Sequence, residues 1–180
     1  MREPVDGERI LRFFRRMGTM AREDARVYVT GGATAVLFGW RPSTIDVDLK
    51  IVPDSDTLLQ AIPELKNELR INVELAAPDR FIPELPGWPA RSPFIAREGR
   101  VSFHHYDLHS QALAKIERGH PQDRIDAREM VGRGLVDPAD PLRLFEQIEP
   151  NLYRFPAIDP PSFRRAVEEF VAQANGSRLL

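Results

Sequence analysis

The run VYVTGGATAVLFGWRPSTIDVDLKI, Val27 to Ile51, constrains this chain more than any other part of it. It opens on a β-rich stretch that ends at two adjacent glycines, Gly31 and Gly32. ATAVLFGW follows and is apolar nearly all round, which predicts a buried helix starting at the glycines. Arg41-Pro42-Ser43-Thr44 breaks it, because proline and the residue before it disfavour helix. TIDVDLKIV then alternates cleanly. Ile45, Val47, Leu49 and Ile51 are expected on one face of a strand, and Asp46, Asp48 and Lys50 on the other.

Side chains at i and i+2 of a strand leave the same face with their backbones about 6.5–7 Å apart. Two carboxylates so placed repel, and a strand tolerates them best when something positive sits between. A divalent cation meets that need. Mg²⁺ binds one or two carboxylates and fills its octahedron with water and phosphate oxygens. Two such ions about 3.5–4 Å apart can hold the attacking and leaving oxygens of an in-line phosphoryl displacement. The glycines suit the other half of that chemistry. Without Cβ the backbone can approach a ligand closely, and the first N–H groups of a helix point towards an anion. Glycines for phosphates and acids for metal therefore form one site, provided that the two strands are neighbours.

The rest of the chain reads as alternating elements. GERILRFFRRMGTMARED places Ile10, Leu11, Phe13, Phe14, Met17 and Met20 at helical spacing, a helix over about 7–22. SDTLLQAIPELKNEL is helical with a proline interruption, capped by Ser55 or Asp56. RINVEL is a third strand with Ile71, Val73 and Leu75 on one face, and RVSFHHYDL is a fourth. Residues 76–99 are proline-rich and expected to be irregular. Helices follow in HSQALAKIERGH, QDRIDAREMVGRG, DPLRLFEQIEPNLYRF and DPPSFRRAVEEFVAQANG. This order predicts an α/β (α+β) fold, a small mixed β-sheet flanked by helices, with a helical C-terminal part. The core is expected over 1–106, and 107–180 is expected to pack on it and close the cleft.

Composition removes several classes of function. The absence of cysteine excludes disulfides, thiolate metal sites and thiol nucleophiles. The net charge of −2, from 25 basic and 27 acidic residues, gives no global attraction to nucleic acid or anionic membrane. No apolar run reaches the length of about eighteen residues that spans a bilayer, and MREPVDGERI lacks the apolar stretch of a signal peptide. The expectation is a cytoplasmic protein with no membrane partner.

The spacing Gly-Gly-x13-Asp-x-Asp, with apolar residues between and after the acids, resembles the signature of the nucleotidyltransferase superfamily related to DNA polymerase β. It resembles more closely still the branch of AbiEii- and MenT-type toxins and related bacterial nucleotidyltransferase-like proteins. The matching residues are Gly31, Gly32, Arg41, Ser43, Thr44, Asp46, Val47 and Asp48. A second segment, ALAKIERGHPQDRIDAREM, resembles that branch's Lys-x-x-Arg and Asp-x-x-Asp helical motif through Lys115, Arg118, Asp123 and Asp126. The resemblance covers residues 27–135.

It implies an NTP-dependent nucleotidyltransferase that moves a nucleoside monophosphate to an acceptor hydroxyl and releases pyrophosphate. Mg²⁺ or Mn²⁺ would be the cofactor, and tRNA or a protein the acceptor. The chain would be the toxin of a toxin–antitoxin pair, with an antitoxin protein as partner. The superfamily adds a third carboxylate from a later strand. Glu74 is the candidate for it, as metal ligand or general base, and Asp79 is the rival. Lys115 and Arg118 would neutralise triphosphate charge from a helix facing the cleft. Asp123 and Asp126 would orient them or receive the acceptor, and Arg41 would reach a phosphate.

Other readings compete. The same fold can serve as a non-catalytic nucleotide- or partner-binding module. An Asp-x-Asp also occurs in nucleotide-sugar glycosyltransferases, but those need a longer nucleotide-binding region than fits before residue 46. The adjacent histidines of FHHY point to opposite faces of a strand and suit packing better than one shared metal. Phe13 and Phe14 read as core, the arginines of RFFRR as a solvated helix face, and Trp88 as the anchor of a long loop.

Overall fold

The computed structural model describes residues 3–176. The chain forms two units: residues up to Ala77 with Ser92–Tyr106, and Pro78–Arg91 with residues from Asp107 onward.

The first unit is built on a five-stranded mixed sheet. Its elements are α1 (Gly7–Met20), β1 (Ala25–Thr30), α2 (Gly32–Phe38), β2 (Asp46–Val52), α3 (Asp56–Leu69), β3 (Asn72–Glu74), β4 (Phe94–Glu98) and β5 (Val101–His105). The strand order is β3-β2-β1-β5-β4. β1 pairs antiparallel with β2 and parallel with β5, β2 pairs parallel with β3, and β4 pairs antiparallel with β5.

One face of the sheet is the core. Val27, Val29, Val47, Leu49, Val73, Val101 and Phe103 meet Ile10, Phe13, Phe14 and Met17 of α1 and Leu58, Ala61, Ile62 and Leu65 of α3. Phe14 stacks on Phe103 with ring centroids 4.0 Å apart. The Asp6 carboxylate caps α1 by accepting from the Arg9 N–H at 2.9 Å, and the Ser55 hydroxyl caps α3 at Leu58. α3 runs through Pro63 without breaking. A proline inside a helix costs about 3 kcal/mol, and the buried residues on both sides of Pro63 offset that cost.

The opposite face carries the alternate residues: Arg26, Tyr28 and Thr30 of β1, Asp46, Asp48 and Lys50 of β2, Asn72 and Glu74 of β3, and Ser102 and His104 of β5. Two expectations about strand faces fail at strand ends. Ile45 precedes β2 and Leu75 follows β3, and they are 49% and 39% exposed. The alternation rule ends where the pairing ends. Residues 94–98, expected to be irregular, form edge strand β4, whose alternation is too weakly apolar to read and which depends on pairing with β5 across a bulge near Phe94.

The second unit contains α4 (Leu108–Arg118), α5 (Pro121–Gly132), α6 (Asp140–Ile148), a 3₁₀ turn at Glu149–Arg154 and α7 (Pro160–Gly176). Leu113, Ile116, Ala127, Leu144, Phe145, Ile148, Phe163 and Val167 form its core. The sequence reading left residues 78–91 with the sheet, whereas they group with these helices. Ile82 and Leu85 are part of the helical core. Arg91 also donates to the buried Asp107 carboxylate at 2.8 and 3.2 Å, and Asp107 caps α4. Trp88 is buried, 5% exposed. Among the described residues, no helix is long and apolar enough to cross a membrane.

Candidate active site

β1 delivers the chain to the glycine turn on the face that bears the acids. The antiparallel register sets Thr30 opposite Asp48, so Gly31 emerges beside the second aspartate. Gly31 has φ 62° and ψ −130°, a conformation that favours glycine. A Cβ on Gly31 would lie 3.0 Å from Asp48 Oδ2. Gly32 is tighter still, since its Cβ would fall 2.0 Å from Thr44 Oγ1 and 3.5 Å from Arg41 Nη1.

Thr44 is fixed in turn. Its backbone exchanges two hydrogen bonds with Val5, at 2.7 and 2.9 Å, and its hydroxyl donates to the Asp46 carbonyl at 3.1 Å. Arg41 and Thr44 therefore converge on the glycine turn, and Ser43 stands half-buried in the same loop. α2 has only seven residues, so the glycines matter here for close approach of the backbone rather than for a long helix dipole.

The parallel pairing of β2 with β3 extends the acidic face. Asp46 lies opposite Asn72, and Asp48 opposite Glu74. Asn72, 2% exposed, is a residue that sequence reasoning missed. Its Nδ2 donates to Asp46 Oδ1 at 2.6 Å and to Glu74 Oε1 at 2.8 Å. The signal was present, because Asn72 stands two residues before Glu74 and so shares its face. Asp79 is in a 3₁₀ turn, Pro78–Arg80, of the other unit, whereas Glu74 is on the strand beside Asp48.

Among the described residues, no three or more His, Cys, Asp or Glu side chains are grouped so as to hold a metal ion by themselves. Mg²⁺ asks for less, needing one or two carboxylates and taking its other oxygens from water and substrate. The residues present fit that demand. Asp46 and Glu74 already converge on a single donor atom, and Asp48 borders the cradle that a Cβ at Gly31 would fill.

The second motif forms its own cluster within the helical unit. Lys115, 7% exposed, donates to Asp126 Oδ2 at 2.8 Å and to Asp123 Oδ1 at 3.4 Å. Arg118 grips Asp123 through Nε at 2.7 Å and Nη2 at 2.5 Å, and Gln122 donates to Asp126 at 3.1 Å. Burial alone would raise the Asp123 pKa, but the Arg118 hydrogen bonds and the charges of Lys115 and Arg118 hold it below the ordinary carboxylate value. Asp123 and Asp126 thus hold the two cations through hydrogen bonds inside the helical unit.

The paired histidines do point apart. His105 is buried, with Nδ1 3.1 Å from Thr34 Oγ1 and its ring stacked on Phe38 at 4.3 Å. His104 lies on the acidic face, 5.4 Å from the Tyr28 ring. Comparisons with protein-family models, with curated proteins and with solved structures each found no match for this chain.

Proposed function

We propose that the chain is a Mg²⁺-dependent nucleotidyltransferase. The observation that carries this reading is the contact between the two halves of the first motif, since a Cβ on Gly31 would press on the Asp48 carboxylate at 3.0 Å. Glycine turn and acids are one surface. The acceptor hydroxyl oxygen attacks the α-phosphorus of the NTP, and the bond from that phosphorus to the bridging oxygen breaks. Pyrophosphate leaves with the electron pair, and the hydroxyl proton passes to a carboxylate, for which the exposed Glu74 is suited. A bound Mg²⁺ or Mn²⁺ would supply neutralisation of the charge that builds on the leaving group. Asp46, Asp48 and Glu74 would hold it, Gly31 and Gly32 would let the triphosphate come close, and Arg41, Ser43 and Thr44 would flank it.

The resemblance of the sequence adds tRNA or a protein as acceptor and a toxin's role opposed by an antitoxin, and the lack of an apolar signal or spanning stretch in the sequence suits a cytoplasmic setting. Incubation with each labelled NTP and candidate acceptors tests the activity. Transfer by the wild type and none by Asp46→Ala with Asp48→Ala is expected. Equal transfer by that double variant refutes the assignment.

One observation favours a second reading. Asn72 ties Asp46 to Glu74 through hydrogen bonds from an uncharged amide, which is also how a nucleotide- or partner-binding module without turnover would hold its acids. Calorimetry separates the two, because NTP binding with Mg²⁺ but without pyrophosphate release supports the module.

A further inference from the structure

Asn72 presents a buried contradiction. Both its amide hydrogens are used, on Asp46 at 2.6 Å and on Glu74 at 2.8 Å, while its Oδ1 is buried and accepts no hydrogen bond. A buried acceptor left unmade is costly and asks for a reason. The two ends of a carboxamide are nearly the same shape, so half a turn about the Cβ–Cγ bond exchanges them. Exchange would bring three oxygens together, which is repulsive unless a cation joins them.

The distances suit one. Ligands adjacent in an Mg²⁺ octahedron, each about 2.0–2.1 Å from the metal, stand about 2.9 Å apart. The terminal atom of Asn72 already stands 2.6 and 2.8 Å from the two carboxylate oxygens.

We propose that Asn72 is an amide switch in the cation site: its NH₂ holds Asp46 and Glu74 together in the metal-free protein, and it turns to offer Oδ1 as a further ligand when a divalent cation enters. The proposal rests on the cation-site reading above. It explains why a side chain 2% exposed carries an acceptor with no partner.

Mn²⁺ binding to the full chain, followed through the electron-spin signal of the free ion, tests it. Asn72→Ala should weaken Mn²⁺ binding about tenfold or more. Asn72→Asp, which offers oxygen in either orientation, should bind at least as tightly as wild type and gain more in melting temperature on adding Mn²⁺. A measurement on the wild type covers the case in which the variants do not fold. In ¹⁵N–¹H spectra the Asn72 amide pair should move upfield at saturating Mg²⁺ as it leaves its carboxylate acceptors. An unmoved pair, or Asn72→Ala binding as well as wild type while Asp48→Ala does not bind, overturns the switch and leaves the cation site standing. No Mn²⁺ binding by the wild type overturns both.

Discussion

His105 makes the stability of the first unit depend on pH in a window of its own. It closes β5, is 5% exposed, and fills the space between Thr34 and Phe38 of α2. Burial, with a smaller push from His104, lowers its pKa from 6.5 to about 4. Between those values the unfolded chain holds a proton that the folded protein does not, so stability rises with pH across the window. Read downward, the contribution is whole above pH 6.5, begins to fail there, and is gone below about 4. The full difference is about 3 kcal/mol, of which about 2 kcal/mol is lost between pH 7 and 5. Asp107 and Asp123 act elsewhere. Their pKa values are held below the ordinary carboxylate value despite burial, so their stabilisation fails only in stronger acid. His104, lowered chiefly by burial, adds in the same direction as His105. Urea unfolding at pH 7, 6 and 5 should therefore show the wild type losing about 2 kcal/mol more than His105→Gln, a variant that keeps a partner for Thr34 but does not titrate. Parallel loss in the two proteins would refute the argument.

Gly32→Ala must displace Thr44, whose Oγ1 would lie 2.0 Å and whose Cβ 2.7 Å from the new methyl. Overpacking of this kind costs about 1–3 kcal/mol, and Thr44→Gly in the same chain should recover part of the loss in urea. A Gly32→Ala protein as stable as wild type would show that the turn is looser than its contacts imply. Asp126→Ala leaves the buried Lys115 ammonium without its nearest carboxylate, at a cost of about 3–5 kcal/mol. The pair Lys115→Met with Asp126→Leu should cost less than Asp126→Ala alone, and equal or greater loss, measured by urea denaturation, would count against a buried ion pair.

What could be read from the sequence was whatever depends on period. The alternation of Asp46 to Ile51 marks a strand and both its faces, and the spacing of Ile10, Phe13, Phe14 and Met17 marks the buried side of α1. Ends and partners were harder. Ile45 and Leu75 fit the alternation yet lie just outside the paired strands, because burial follows pairing rather than pattern. β4 was hidden because an edge strand needs only one neighbour and its sequence is not sharply apolar. Residues 78–91 carry too few apolar positions to reveal which core they join, and the decisive link, Arg91 to Asp107, spans sixteen positions. Asn72 escaped because an asparagine on a strand has many uses, and only the register of β3 against β2 singles out one.

That register is also what makes the glycines and the acids one object. Side chains repeat every second residue along a strand, so a slip of one position between β1 and β2 would turn Asp46 and Asp48 into the core and Val47 and Leu49 out of it. The apolar face forbids that slip, since Val47 and Leu49 are fully buried. A slip of two would keep the faces but move Asp48 about 6.5–7 Å from the glycine turn. What forbids the second slip is local: the Val5–Thr44 pairing fixes where β2 starts, and the Thr44 hydroxyl occupies the place that only a glycine at position 32 leaves open. The packing of the core thus selects which face the acids take, and the loop contact selects how far along it they lie.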